Sequence, residues 1–475
     1  MDEKNYEKLR LRRQWLIDKN RPPQAIIWKT LPLCNDFYLF YHQDLKVEYC
    51  KTEKKIVVIL GIAINPYNIH ENLITKIAKT NDITETTDEI KKIGGTYVII
   101  IANAQNIVIF NDPSGMMGVY FDSKSRASST PSLLQPIKRN STIEKDFQFG
   151  PGNDWYTGSF TAYEGVKKLI PNCLLELFAG SIHRYWPNKF DIPIEKNNIT
   201  ENRLNAICTL LTDMINGVVE KGKVIGSITG GKDSRVVLAA SKINWPKISY
   251  FTLHGKAVQN EDIKYAKLLA QQAHLDHIIY EIGPVSQKID ALYNEIGANE
   301  AIGARREIAT TCLQLEGKDT IHLNGNLGAI CKSYYWQSAA PKIFKINAVM
   351  RDFLRPGTTT KEGITYWRET LSDIDNATIL YNLFYLEQRG GRWIAAGENC
   401  SRLFYETFTP FNHRDIFSHI CCLPLELQRS GTLLKLLVKN MAPELLDVPY
   451  CTARRNWTKY IPEYLKSRIR HLVKN

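Results

Sequence analysis

"GSITGGKDSR", residues 226–235, carries two phosphate-loop readings at once. Gly226, Gly231 and Lys232 nearly spell the Walker A pattern G-x-x-x-x-G-K-[ST], which holds ATP for attack at the γ-phosphate. Residues 229–234 nearly spell S-G-G-x-D-S, a loop for the pyrophosphate that leaves when AMP is transferred to a carboxylate. A Walker A loop needs Ser or Thr directly after its lysine, because that hydroxyl ligates Mg²⁺. Asp233 stands there instead. A carboxylate among ATP phosphates repels them unless a cation intervenes. In the second reading every residue has a task. Gly230 and Gly231 let the backbone approach the pyrophosphate, and Lys232 lies in the same phosphate-binding set. Asp233 carries Mg²⁺, a hard cation suited to oxygen ligands, and Ser234 and Thr229 donate hydroxyls. An ordinary Gly-rich strand-to-helix turn is the remaining reading of these ten residues taken alone.

The flanking segments place the loop in an α/β unit. "KVIGSIT" reads as a strand, with Ser227 counted in the nucleotide-binding set, and "SRVVLAASKI" as the helix after the loop. "KISYFTL" is the next strand, "NEDIKYAKLLAQQA" a helix and "HIIYEI" a further strand. That alternation predicts a parallel sheet. The phosphate site then lies at the carboxyl ends of its strands, within residues 224–340, with the adenine near Phe251, Thr252 and Leu253. Before the loop, Leu204, Ile207, Leu210, Leu211, Met214, Ile215 and Val218 predict one apolar helix face. From about residue 365 the chain reads as helical and aromatic.

Residues 1–195 read as mostly β. "KIVVILGIAI" is a buried-strand run, and "YVIIIANAQNIVIF" reads as two strands about a polar turn at 103–106. "NDPSGMMGVYFD" offers a turn and a short strand, and "CLLELFAGSIHRYW" a hairpin turning at Ala179-Gly180. The polar stretch "PNKFDIPIEKNNITEN" reads as a linker. The chain of 475 residues exceeds one ordinary core, and we expect two domains, 1–195 and 196–475.

Composition narrows the partners. The formal charge of +12 permits anionic ligands, but the lysines are dispersed and no basic block is interleaved with aromatics. Nucleic acid is therefore not expected. The ten cysteines include no C-x-x-C pair, which disfavours a zinc ribbon. A charged start, "MDEKNYEKLR", and the lack of an apolar run of roughly 18 residues predict no leader and no membrane span. A cytoplasmic location with reduced thiols is the expectation. His274 and His277 have no third ligand near in sequence and read as surface or strand-edge histidines.

"SITGGKDSR", "YFTLHG" and "NEDIKYAKLLAQQAHLDH" together resemble the synthetase domain of asparagine synthetases, and of relatives that modify glycans and peptides. The likeness continues through "TPFNHRDIFSHICCLPLELQRSGTLLKLLVKNMAPELLDVPYCTARRNW". It also covers "GGTYVIII", "NDPSGMMGVYFD" and "TAYEGVKKLIPNCLLEL" through "RYWP" in the first half. The resemblance implies an Ntn-hydrolase-like αββα sandwich, followed by a PP-loop, adenine nucleotide α-hydrolase-like sheet with a helical C-terminal region. It implies ATP and Mg²⁺, Asp233 and Lys435 as catalytic residues, and Gly325 in the nucleotide site. Lys435 would neutralise pyrophosphate or the adenylate; a solvated helix lysine is the other reading. Arg389 and Arg392 match an arginine-rich helix near the cleft, or serve structure alone.

Two departures matter. Asparagine synthetases begin Met-Cys-Gly, and that cysteine hydrolyses glutamine. Here Asp2 follows Met1 and the first cysteine is Cys34. A glutaminase thiol needs a free α-amine beside it, so we expect a glutaminase-like domain without glutaminase activity and Cys34 as a small buried hydrophobe. The second is the family's acidic loop, matched here by "IHLNGNLGAICKSYYW". Asn324, Gly325 and Gly328 remain, but Asn326 and Ala329 replace carboxylates, Lys332 stands near a position that often holds Arg, and Asp319 lies at the wrong end of the strand. The expectation is an ATP-dependent ligase that joins a small-molecule or peptide carboxylate to an amine or ammonia. The alternative is a nucleotide-binding relative that no longer turns over.

Overall fold

The computed structural model describes residues 3–22, 27–135, 137–147, 155–192, 200–255, 260–298, 320–336, 340–350, 352–353, 357–429 and 431–451. The chain first forms β1 (Trp15–Asp18), β2 (Trp28–Pro32), β3 (Tyr38–His42), β4 (Val47–Lys51), β5 (Ile56–Ile64) and β6 (Gly94–Ala102). It continues through β7 (Ile107–Asn111), β8 (Tyr120–Asp122), β9 (Ala127–Ser128), β10 (Val166–Lys168), β11 (Cys173–Glu176) and β12 (Ser181–Arg184). The later strands are β13 (Val224–Ser227), β14 (Ser249–His254), β15 (His277–Glu281), β16 (Ile321–Leu323) and β17 (Glu406–Phe408). Two six-stranded antiparallel sheets, ordered β10-β8-β9-β1-β3-β2 and β12-β11-β7-β6-β5-β4, precede one five-stranded sheet, β15-β14-β13-β16-β17. All four pairings of the last sheet are parallel. The protein is thus a mixed α/β molecule, as the alternating segments after residue 200 predict.

The second sheet is buried on both faces. Along β5, Val58 and Leu60 enter the large core, while Val57 and Ile59 enter a smaller cluster with Ile74, Ile77 and Ile90. These last three belong to helices Leu73–Lys79 and Ile83–Lys91. Neither helix figures in the sequence reading, although Asn72 and Asp82 cap them by accepting from the Thr75 and Glu85 amides. The helix Thr200–Val219 buries the full apolar stripe expected of it. The linker stretch falls partly outside the described residues at 193–199.

Several motifs of the resemblance serve to join the antiparallel sheets to the helical region. Asp112 of "NDPSG" is fully buried and accepts from the amides of Ser114, Met116 and Met117 and from Asn412 Nδ2 at 2.8 Å. Burial pushes its carboxyl up, and these donors favour the charged form. Arg414 donates to Asn172 Oδ1, Ile90 O and the Tyr97 and Tyr185 hydroxyls. The wide π-helix Phe384–Ile394 contributes Glu387, which accepts from Asn172, Trp367 and both terminal nitrogens of Arg184. A Cβ at Gly391 would lie 2.6 Å from Ser114 O, so only glycine lets this helix approach the turn so closely. Among the described residues no helix is long and apolar enough to cross a membrane.

Candidate functional site

β13 is the first strand of the parallel sheet, with β14 on one side and β16 on the other. The chain leaves β13 toward β14 and leaves β16 toward β17, so the crevice between β13 and β16 is a topological switch point, where open α/β sheets take ligands. Two loops meet there. The first, 228–231, leads into the helix Lys232–Ala240. The second, 324–332, follows β16. A Cβ at Gly325 would sit 3.0 Å from the Asp233 carbonyl carbon and the Ser234 nitrogen, and one at Gly328 would sit 3.0 Å from Asp233 Cβ. The glycines of "NGNLG" therefore let the second loop lie against the first.

Within the first loop, the hydroxyls of Thr229 and Ser234 are 2.8 Å apart, and the Gly231 amide donates to Thr229 Oγ1 at 3.2 Å. Gly231 caps the helix without a side-chain bond, leaving the first-turn amides for an external acceptor. Gly230 has a different reason to be glycine. Its Cβ would meet Cys451 Cβ at 2.9 Å and Tyr265 Cβ at 3.1 Å. Ser227 ends β13 half-buried, paired through its backbone with Phe251.

The expected adenine strand contributes less. Thr252 is buried, and its hydroxyl is committed to Ile228 O at 2.7 Å and His277 Nε2 at 2.8 Å. Phe251 is buried against Tyr280 and His322. Thr252 therefore does not join the loop hydroxyls. His277 lies on the edge strand β15 and is half-buried.

Charge gathers around Asp233. Lys332 places its ammonium 2.6 Å from Asp233 Oδ2. Lys232 adjoins both: a Cβ at Gly431 would lie 3.0 Å from Lys232 Nζ and 3.8 Å from Lys332 Cγ. Lys435 stands one turn further along the helix Thr432–Met441, exposed, with its ammonium 5.7 Å from the centre of the Tyr450 ring. Burial, then repulsion from Lys435 and Lys332, lower the Lys232 ammonium below the ordinary lysine range, with Asp233 acting the other way. Among the described residues Lys232 makes no ion pair.

The fit to Mg²⁺ is poor. Asp233 Oδ1 is shielded and unbonded, but Oδ2 is already occupied by Lys332. Among the described residues no group of three or more His, Cys, Asp or Glu side chains could hold a metal. The fit to a polyanion is better: open helix amides, two hydroxyls and the ammonium groups of Lys232 and Lys332 meet at the crevice, with Lys435 close enough to repel Lys232. Asp233, the expected metal carrier, is ion-paired with Lys332 through Oδ2. Asp319 lies outside the described residues.

Some partners escaped the sequence reading. Asn326, in place of an expected carboxylate, donates from Nδ2 to Glu398 Oε1 at 2.7 Å. Glu398 comes from the helix Ala395–Ser401, about seventy residues away, and nothing in "GENCSR" marks it. Arg235 is fully buried, donates to the carbonyls of Leu445, Val448 and Pro449, and stacks over Tyr450 at 3.8 Å. With the Cys451 amide donating to Gly230 O at 3.0 Å, it fastens the C-terminal segment onto the loop. Arg389 is held by Asp352 and the rings of Trp155, Tyr334 and Trp393, and Arg392 by the carbonyls of Tyr156 and Phe160. Both are structural in these contacts.

The fold and the crevice together define a mixed α/β protein with a glycine-rich anion-type loop at the switch point of a parallel sheet. No protein-family model matches the chain, and no curated protein matches it. Similar solved structures include a glutamine-dependent NAD⁺ synthetase from Acinetobacter baumannii in complex with ADP (TM-score 0.19, 10% identity, 36% of this chain and 34% of that one). Others are the allosteric regulatory enzyme of purine biosynthesis (0.25, 8%, 77% and 74%) and the B. subtilis glutamine phosphoribosylpyrophosphate amidotransferase with ADP and GMP (0.22, 9%, 61% and 67%). The chain spans about a third of the length of the NAD⁺ synthetase chain. TM-scores this low fix neither fold family nor activity.

Proposed function

We propose that this chain is an ATP-dependent, AMP- and pyrophosphate-forming amide ligase of the asparagine synthetase type. It comprises a glutaminase-like Ntn sandwich without glutaminase activity over 1–195 and a PP-loop synthetase unit over 196–475. The observation that carries the proposal is the meeting of the 228–231 and 324–332 loops at the switch point, with Thr229, Ser234 and three lysines around an uncapped helix start. Such a site suits the β- and γ-phosphates of ATP.

In this reading a substrate carboxylate oxygen attacks the α-phosphorus, and the bond to the bridging oxygen of pyrophosphate breaks. An acyl-adenylate results. An amine or ammonia then attacks the acyl carbon, AMP leaves, and the amine proton passes to solvent or a base. The loop's share is electrostatic. First-turn amides, hydroxyls and ammonium groups stabilise charge as it develops on the leaving pyrophosphate. The amine is a small molecule or a peptide N-terminus, since Cys34 is internal and supplies no α-amine of its own.

The Asp233–Lys332 pair favours a second reading, a relative that binds nucleotide without turnover, because the loop carboxylate is already neutralised. Nucleotide products separate the two. Purified protein is incubated with ATP, a panel of carboxylic acids and amines, and the nucleotides are resolved. AMP with pyrophosphate supports the ligase. ADP with phosphate contradicts it. Bound ATP that is never consumed supports the second reading.

A further inference from the structure

We infer that this protein holds the pyrophosphate end of its nucleotide with lysine ammonium groups in place of a protein-bound divalent cation, Lys332 occupying one oxygen of the carboxylate that a metal would need. The inference rests on the nucleotide reading above and departs from the Mg²⁺ site that the loop sequence suggests.

Geometry carries it. Lys332 and Asp233 lie about a hundred residues apart, yet the second loop delivers the ammonium to within 2.6 Å of Oδ2. That delivery depends on close backbone contact, since a Cβ at Gly325 or Gly328 would press on Asp233 or its peptide bond. A Mg²⁺ ion prefers near-octahedral oxygen ligation and retains water reluctantly displaced. Here it would have to share Asp233 with the Lys332 ammonium, reaching the carboxylate through the shielded Oδ1 or by evicting Lys332 from Oδ2, with like charge repelling it in either case. Among the described residues no group of three or more His, Cys, Asp or Glu side chains forms such a site.

The same arrangement suits an anion. Three ammonium groups outnumber the carboxylates of Asp233 and Asp262 around an uncapped helix start. Crowding of like charge is unfavourable in the free protein, and after burial it is the repulsion from Lys435 and Lys332 that lowers the basicity of Lys232. Pyrophosphate relieves that repulsion, so binding gains from a strain already present. Asp233 is then a positioning residue that orients Lys332.

The test is calorimetric titration of the full-length protein with inorganic pyrophosphate, once with excess EDTA and once with Mg²⁺. The inference expects binding in EDTA. It expects Lys332→Ala to weaken that binding by about tenfold, the scale of a charge-assisted hydrogen bond, and Lys332→Arg to restore most of it. Asp233→Asn keeps or tightens binding, because it removes a negative charge from the anion's surroundings. Binding that appears only with Mg²⁺ and vanishes in Asp233→Asn overturns the inference and leaves the nucleotide reading standing. Absence of binding under either condition overturns both.

Discussion

Glu387 and Arg184 meet in the buried join between β12 and the wide helix Phe384–Ile394, with two hydrogen bonds of 2.8 Å. Glu387 is fully buried, and its remaining acceptor capacity is met by Asn172 and Trp367. The pair offsets desolvation that neither charge could bear alone. Opposed by burial, the carboxylate still raises the basicity of the Arg184 guanidinium. Removing Glu387 leaves the Arg184 guanidinium without a counter-charge, its remaining bonds going to Thr370 Oγ1 and Trp186 O. Glu387→Ala should therefore destabilise the fold by about 3–5 kcal/mol in denaturant unfolding. A loss no larger than that of an exposed pair would mean that the join opens to water.

Gly325 tests the loop contact. Gly325→Val places methyl groups against the Asp233–Ser234 peptide, which cannot yield as a flexible side chain would. ATP affinity should fall by about tenfold or more, as the misplaced first-turn donors lose hydrogen bonds to phosphate. Gly283→Ala, where a Cβ meets nothing within 4 Å, is the control and should bind ATP as wild type does. Equal ATP affinity in Gly325→Val would separate the two loops functionally.

His322 predicts the acid side of the stability profile. Its ring lies between Phe251 and Tyr405, at 5.3 and 5.2 Å, with Nε2 shielded and unbonded. Burial lowers its pKa from the ordinary 6.5 to about 4. The unfolded chain thus binds the proton more readily between these values. Stability is complete above about 6.5 and falls as the pH drops toward 4, by roughly 3–4 kcal/mol in all at ~1.4 kcal/mol per pH unit. His322→Phe should flatten that part of the melting-temperature profile. An unchanged slope would assign the acid loss to other groups, such as His42 and His413, which burial also lowers.

Glutamine should not serve as nitrogen donor. Cys34 is half-buried, and burial raises its thiol pKa, which leaves little thiolate at neutral pH. Incubation with glutamine should release no glutamate that Cys34→Ala abolishes. Cys34-dependent glutamate would contradict the account of residues 1–195.

Local signals made much of this structure legible. The strand, loop and helix at 224–240, the hairpin at 103–106 and the stripe from Leu204 to Val218 each follow from period and turn chemistry, and each is present. The site was legible only on one side. Thr229, Gly231 and Ser234 are neighbours in sequence, whereas Lys332 and Glu398 reach the crevice from distant segments whose placement depends on β16 and the helix packing behind it. Arg235 looks like part of the phosphate motif, yet its carbonyl acceptors lie more than two hundred residues on. No periodicity announces the π-helix that brings Glu387 to Arg184.

The central claim is transfer of AMP to a carboxylate at the 228–234 loop, and exchange of labelled pyrophosphate into ATP reads that step directly. The account predicts exchange that depends on a carboxylic acid. It also predicts a fall of about a hundredfold or more in Lys435→Ala, the scale for removing one stabilising group from developing charge. Exchange absent from the wild type with every acid, although ATP binds, would contradict it, as would equal exchange in wild type and Lys435→Ala.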